Sequence, residues 1–204
     1  MSSSKEEKSM DFENTQNPDV NIAEVEKKFA KKTRELDGFW KNLVSIICII
    51  GGLYHLYSAY TLVFPTMWHR SIHLSMGLFL TFVLYPRGKT ASSKVPIYDV
   101  VLAVASISFT IYLITNYMGI ISRAGIPNSW DVFFGVIVTI LVLEATRRVM
   151  GWPLVIIAII AVLYAFAGPY MPGLLMHRGY GISRIAEEMF LTTNGIFGVP
   201  IYVS

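Results

Sequence analysis

The sequence predicts an all-α fold: a polytopic membrane bundle of about five transmembrane helices, with amphipathic interfacial helices before the first and after the fifth. Three observations predict it. Over 204 residues, 53% are hydrophobic and only 15% charged, and the mean hydropathy is +0.51, a balance that suits lipid better than water. Five nearly uncharged runs approach the roughly twenty residues that a helix needs to cross a hydrocarbon core of about 30 Å. Basic residues gather at alternate ends of these runs, as a chain threading back and forth requires.

Residues 1–20 are rich in Ser, Asn, Asp, Glu and Lys and lack the charged-then-apolar pattern of a signal peptide, so they are expected to form a disordered cytoplasmic tail. Over 21–39 the pattern changes. Ile22, Val25, Phe29 and Leu36 recur at helical spacing, Asn21 and Glu24 suit a capping-box start, and Lys27, Lys28, Lys31, Lys32 and Arg34 fill the polar side. An amphipathic helix on anionic lipid is expected, with a solvated helical stub as the alternative.

The first span is expected from Leu43 to Phe64, with Trp40 and Lys41 before it and Pro65, Trp68 and Arg70 after it. The second runs from Trp68 to Tyr85 and stops at Pro86-Arg87-Gly88-Lys89. The third covers Val100 to Ile120, introduced by Asp99, whose charge suits the positive end of a helix dipole. The fourth follows Pro127-Asn128-Ser129 and reaches Val149. Its uncharged centre, Val132 to Leu143, is short, so Asp131 and Glu144 must lie near the interfaces. The fifth starts at Trp152-Pro153, with proline in a first-turn position, and ends at Gly168-Pro169-Tyr170-Met171-Pro172-Gly173. Ile182, Ile185, Ala186, Met189 and Phe190 then predict a short helix on the external interface. The apolar run from Ile196 to Val203 is too short to span and is expected to be the start of a further helix, cut off at Ser204.

Lys27, Lys28, Lys31, Lys32, Arg34 and Lys41 before the first span, Arg87, Lys89 and Lys94 before the third, and Arg147 and Arg148 before the fifth form one set; Arg70, Arg123, Arg178 and Arg184 form the other. Eleven against four places the N-terminus inside the cell. The net charge of +3 is therefore read as topology, and nucleic acid is not expected as a partner. The single cysteine, Cys48, lies within an apolar run and leaves no internal disulfide to form.

Ionisable groups inside lipid default to functional suspects. Glu144 precedes Arg147 and Arg148 by three and four residues, the spacing at which helical side chains meet, so pairing is expected, with a role in coupling or domain contact as the alternative. His55, His69 and His73 could ligate a metal or haem. His55, however, is expected about 9 Å deeper than His73 from the rise of a helix, a poor placement for opposed ligands. His177 and Arg178 lie in the Gly- and Pro-rich external loop; contact with an anionic substrate or an acidic partner, or a plain loop role, are both open. There is no phosphate loop, G-x-G-x-x-G, metal-type Cys/His spacing or nucleophile elbow, so the chain is not read as an enzyme.

Beyond this point the sequence resembles a known family. Glu144-Ala145-Thr146-Arg147-Arg148, Gly151-Trp152-Pro153-Leu154, Gly168-Pro169-Tyr170-Met171-Pro172-Gly173, His177-Arg178-Gly179-Tyr180 and Leu191-Thr192-Thr193-Asn194-Gly195-Ile196-Phe197-Gly198 look like the fused permeases of tripartite ATP-independent periplasmic (TRAP) transporters, TAXI subtype. The likeness covers the last third; the earlier spans match in layout, including Arg70-Ser71-Ile72-His73-Leu74, and Asn194 stands where an acidic residue is common. The resemblance implies that residues 40–149 are a four-helix small-subunit domain and that 150–204 begin the large subunit. It further implies an ion-gradient-driven, sodium-coupled uptake of organic acids in a bacterial or archaeal plasma membrane. The partners would be the bilayer, the remainder of the large subunit and a periplasmic solute-binding protein. Substrate and sodium sites are expected beyond Ser204, with no cofactor or metal bound by this fragment. Glu144, Arg147, Arg148, Gly151 and Trp152 are the structural and topogenic candidates. A non-transporting membrane scaffold and a haem or metal redox protein are the alternatives.

Overall fold

The computed structural model describes residues 33–61, 64–88 and 94–198. Among them are seven α-helices, two 3-10 turns and no strand: α1 (Gly38–Thr61), α2 (Thr66–Leu84), α3 (Ile97–Thr115), α4 (Tyr117–Ser122), α5 (Ser129–Val149), α6 (Trp152–Ala167) and α7 (Ile182–Phe190). The expected tail over 1–20, the amphipathic stretch up to Lys32 and the residues after Gly198 lie outside the described residues. Residues 34–37, assigned to the amphipathic helix from sequence, carry no regular secondary structure, and Gly38 opens α1 at a positive φ of 55°.

Proline sets several of these boundaries. Pro65 and Pro96 stand at the N-caps of α2 and α3, and Pro153 falls in the first turn of α6, where its missing N–H costs no helical bond. Asn128 and Asp131 close a reciprocal capping box that starts α5. The third expected span proves to be two helices, broken at Asn116, whose side-chain amide donates to the Tyr112 carbonyl and to the Thr115 hydroxyl oxygen. Asparagine satisfies local backbone groups from its own side chain and so competes with the helical ladder, a cost that an apolar-run count does not register.

The core lies between α2, α3 and α5. Phe82 and Val83 of α2, Phe109 and Leu113 of α3, and Val138 and Leu141 of α5 are buried together, and Phe190 and Phe197 enter from the C-terminal segment. The phenyl ring of Phe190 lies edge-on to Phe109 with centroids 6.2 Å apart and tilts against Phe197 at 6.0 Å. α1 packs on α2 and α6 on α5. Both leave long apolar faces uncovered, Ile46, Ile49, Leu53 and Leu56 on α1 and Ile156, Ile157, Ile160 and Leu163 on α6. Exposed apolar surface of that extent marks contact with lipid or another protein.

Three helical stretches are long and apolar enough to cross a membrane: α1, α3, and α6 with its 3-10 extension to Tyr170. The described residues are thus all-helical, with three membrane-capable helices among them. α2 and α5 reach 19 and 21 residues but carry more polar groups, among them His69, Arg70, His73 and Ser75 on α2 and Asp131, Glu144, Arg147 and Arg148 on α5.

α7 departs from a helix lying free on a surface. It packs along α5, where Gly135 admits it: a Cβ at Gly135 would come within 3.0 Å of both the Cβ and the carbonyl oxygen of Ala186. The 124–128 loop holds its polar side, because Glu187 accepts the Gly125 amide at 2.8 Å.

Candidate functional site

The most concentrated polar chemistry is a buried ion cluster where the chain before α1, the end of α2, the start of α3 and the end of α5 meet. Asp99 is fully buried and receives two guanidiniums. Arg34, 6% exposed, donates to Asp99 through Nη2 and to the Val83 carbonyl through Nη1 at 3.2 Å, while its backbone amide reaches the Leu84 carbonyl at 2.8 Å. Arg148, 5% exposed, brings Nη1 to 2.7 Å from the other Asp99 oxygen, an ion contact whose angles fall outside hydrogen-bond geometry. The same nitrogen donates to the Tyr85 carbonyl at 3.1 Å, and Nε donates to Glu144 at 2.9 Å. Its guanidinium also faces the Phe82 ring at 5.0 Å. The two arginines therefore satisfy the last carbonyls of α2, the negative end of that helix, as well as the carboxylate of α3.

Glu144 accepts from Nε and Nη2 of Arg147, both at 2.7 Å, in a bidentate pair. Arg147 lies 5.6 Å from the centroid of Trp152. Gly151, between them, holds φ at +92°, a conformation that a side chain would strain. The five residues singled out near this junction, Glu144, Arg147, Arg148, Gly151 and Trp152, thus come together. Arg34 and Asp99 were missed. Arg34 was assigned to the polar side of a surface helix, yet it is buried; the signal that could have found it is the solitary Asp99 in a first turn, next to a short loop from the end of α2.

At the opposite end of the bundle Asp131 anchors a second network. Tyr112 donates its hydroxyl to Asp131 at 2.6 Å, Arg123 donates Nε and Nη2 at 3.0 and 3.1 Å, and the Asn128 amide closes the cap at 2.8 Å. These bonds hold the Arg123 guanidinium above its ordinary pKa. Arg70 donates to the Phe197 carbonyl, fastening the C-terminal turn to α2.

The histidines correct an expectation. His55 lies six residues before the end of α1 at Thr61 and His73 seven after the start of α2 at Thr66, so in an antiparallel hairpin they share a level. Their Nε2 and Nδ1 atoms are 3.2 Å apart, and His69 meets Ser58 at 2.9 Å. The predicted difference in depth fails because the hairpin turn falls between Thr61 and Thr66, which places His55 nearer the end of its helix than a mid-span position. Among the described residues no group of three or more His, Cys, Asp or Glu is arranged to hold a metal ion.

His177 is engaged within its own loop. Its Nδ1 accepts the Gly179 amide at 3.1 Å and its Nε2 lies 3.1 Å from the Tyr164 carbonyl, an arrangement that suits the neutral Nε2–H tautomer. Arg178 is exposed, with its guanidinium 5.4 Å from the Tyr180 ring, and so is the member of the pair that faces outward. It borders an apolar groove of about 560 Å3 between α5, α6 and α7.

No family model, curated protein or solved structure matches this chain.

Proposed function

We propose that the chain is the N-terminal part of the membrane permease of an ion-gradient-driven TRAP-type uptake system for organic acids, working with a periplasmic binding protein. Its share of the work is structural. The observation that carries the reading is the run of sequence patterns from Glu144 to Gly198. The packing supports it. Phe190 and Phe197 from the C-terminal segment are buried against the α2–α3–α5 core, and Arg148 ties the end of α5 to α2 and α3. A stationary flank for a moving transport domain needs that kind of rigid, cross-tied bundle, and it needs no ion site of its own.

In this reading five helices cross the membrane, α1, α2, α3, α5 and α6. α2 and α5 qualify because their charged groups sit at the helix ends or inside the bundle rather than facing lipid. The Asp99 end lies in the cytoplasm, and α7 lies at the external interface. Sodium and substrate are handled by other parts of the permease. A non-transporting membrane scaffold would show the same cross-tying, and one experiment separates the two readings. The full-length protein, reconstituted in vesicles with its binding protein, should accumulate an organic acid when an inward sodium gradient is imposed, and should stop when the gradient is collapsed. Absence of gradient-driven uptake across a panel of organic acids would leave the scaffold reading.

A further inference from the structure

Three of the four histidines in the chain meet between the second half of α1 and the first half of α2. His55 Nε2 lies 3.2 Å from His73 Nδ1, and His69 Nδ1 lies 2.9 Å from the Ser58 hydroxyl oxygen. The centroid of the His55 ring stands 4.9 Å from that of His73 and 5.1 Å from that of His69. We propose that this cluster is an acid-sensitive clasp: with no more than one ring protonated it holds α1 against α2, and protonation of a second ring loosens that hold.

The hydrogen bonds set the limit. An imidazole offers a lone pair only while it is neutral; once protonated, both of its nitrogens are donors. The bond between His55 and His73 therefore needs at least one neutral ring. His69 can donate Nδ1–H to Ser58, because a hydroxyl oxygen accepts as readily as its O–H donates, so a single proton on the cluster is compatible with both bonds. A second is not. Charges on His55 and His73 set two donors face to face, charges on His55 and His69 repel across the interface, and His69 and His73 are like charges one turn apart on α2.

No counter-charge offsets this repulsion. Residues 38–84, which contain both helices, include no Asp or Glu; their charged residues are Lys41 and Arg70, both cations. Arg70 donates to the Phe197 carbonyl of the C-terminal turn. Tyr54, stacked on His69 with centroids 5.7 Å apart, and Tyr117 of α4, edge-on to Trp68, bring phenols without charge. At that end of the bundle Asp131 is taken up by Tyr112, Arg123 and the Asn128 amide, and Glu187 and Glu188 pair with Arg184.

Little else holds this part of α1. Trp40, Leu43, Val44 and Ile47 of its first half pack against the core, and Gly51 is buried where Met76 crosses it. Beyond Gly51 only Ser58 is buried, while Leu53, Leu56, Tyr57 and Tyr60 face outward. In the orientation proposed above, the clasp lies toward the outside and responds to external acidity; its chemistry does not depend on transport.

The test is dipolar electron spin spectroscopy on the whole protein in detergent, with Cys48 replaced by alanine and spin labels on cysteines introduced at Leu56 and Met118, which are 71% and 78% exposed. One separation is expected at about pH 7.5, giving way by about pH 5 to a longer or broader one as histidines gain protons. A second pair at Phe39 and Met150, next to the half of α1 that packs on the core, should keep one separation throughout. His55→Gln and His69→Asn/His73→Asn each leave imidazoles on one helix only, with an amide in place of each ring. Each should abolish the change, and if one of them fails to fold the other decides. His177→Gln should leave the change intact. The proposal is overturned if the Leu56–Met118 separation is the same at both pH values, if the change survives in either cluster variant, if it is lost in His177→Gln, or if the Phe39–Met150 separation moves equally.

Discussion

Asp99 and the two arginines around it show how much a single carboxylate can decide in a bundle of this kind. Burying Arg34 and Arg148 is tolerable because each guanidinium finds a carboxylate and the carbonyls at the end of α2. Removing the carboxylate leaves Arg34 desolvated with no carboxylate partner and Arg148 with Glu144 alone, and a buried charge stripped of its partner is the arrangement that costs most in a protein interior. Asp99→Asn should therefore lose about 3–5 kcal/mol of stability, read as a fall in melting temperature in detergent. Glu144→Gln should lose less, since the Glu144 side chain is 23% exposed and Arg147 can turn to solvent. Equal losses for the two variants would contradict the ranking. At this scale the sequence was partly legible. The spacing of Glu144 from Arg147 and Arg148 determines their pairing, because it is a property of one helix. The partnership of Arg34 with Asp99 spans 65 positions and depends on how three elements meet, which no periodicity encodes. The histidine level was open to calculation, and it failed only because the hairpin turn was placed three residues too late.

Helices follow local rules more faithfully than their partners do. Pro127-Asn128-Ser129 and Trp152-Pro153 were readable as boundaries, and α5 and α6 begin where they indicate, whereas the second and third spans, expected from Trp68 and Val100, lie in helices that already start at Thr66 and Ile97 after Pro65 and Pro96. The break at Asn116 was not readable, because a polar residue at the end of an apolar run reads equally well as an interface. Nor was the docking of α7 legible. Its apolar face is evident from sequence, but lipid and protein accept such a face alike, and only the missing side chain at Gly135 tells which surface receives it. Gly135→Leu should push α7 away from α5, lowering stability by about 1–3 kcal/mol, the usual cost of overpacking. It should also expose the 182–190 segment to protease under conditions in which the parent resists. Unchanged resistance would mean that α7 is held by Glu187, Phe190 and Phe197 without help from that close approach.

Across the whole molecule, α1 and α6 turn apolar faces outward and α2 and α5 keep their charges at their ends or inside; the proposed function has all four cross the bilayer together with α3. Ion clusters at both ends of the bundle tie its helices to one another, as the proposed stationary role requires. The direct measurement of this arrangement is side-specific labelling. With Cys48, the single native cysteine, replaced by alanine, one cysteine at a time is placed at Gly88, Gly125, Met150 and Met176 and treated with a membrane-impermeant maleimide in intact cells. Five crossings with the Asp99 end inside predict labelling at positions 125 and 176, and labelling at 88 and 150 only after the membrane is opened. Labelling of 88 and 125 from the same side would mean that α3 does not cross, and the reversed pattern would mean that the bundle sits the other way up; either result contradicts the account.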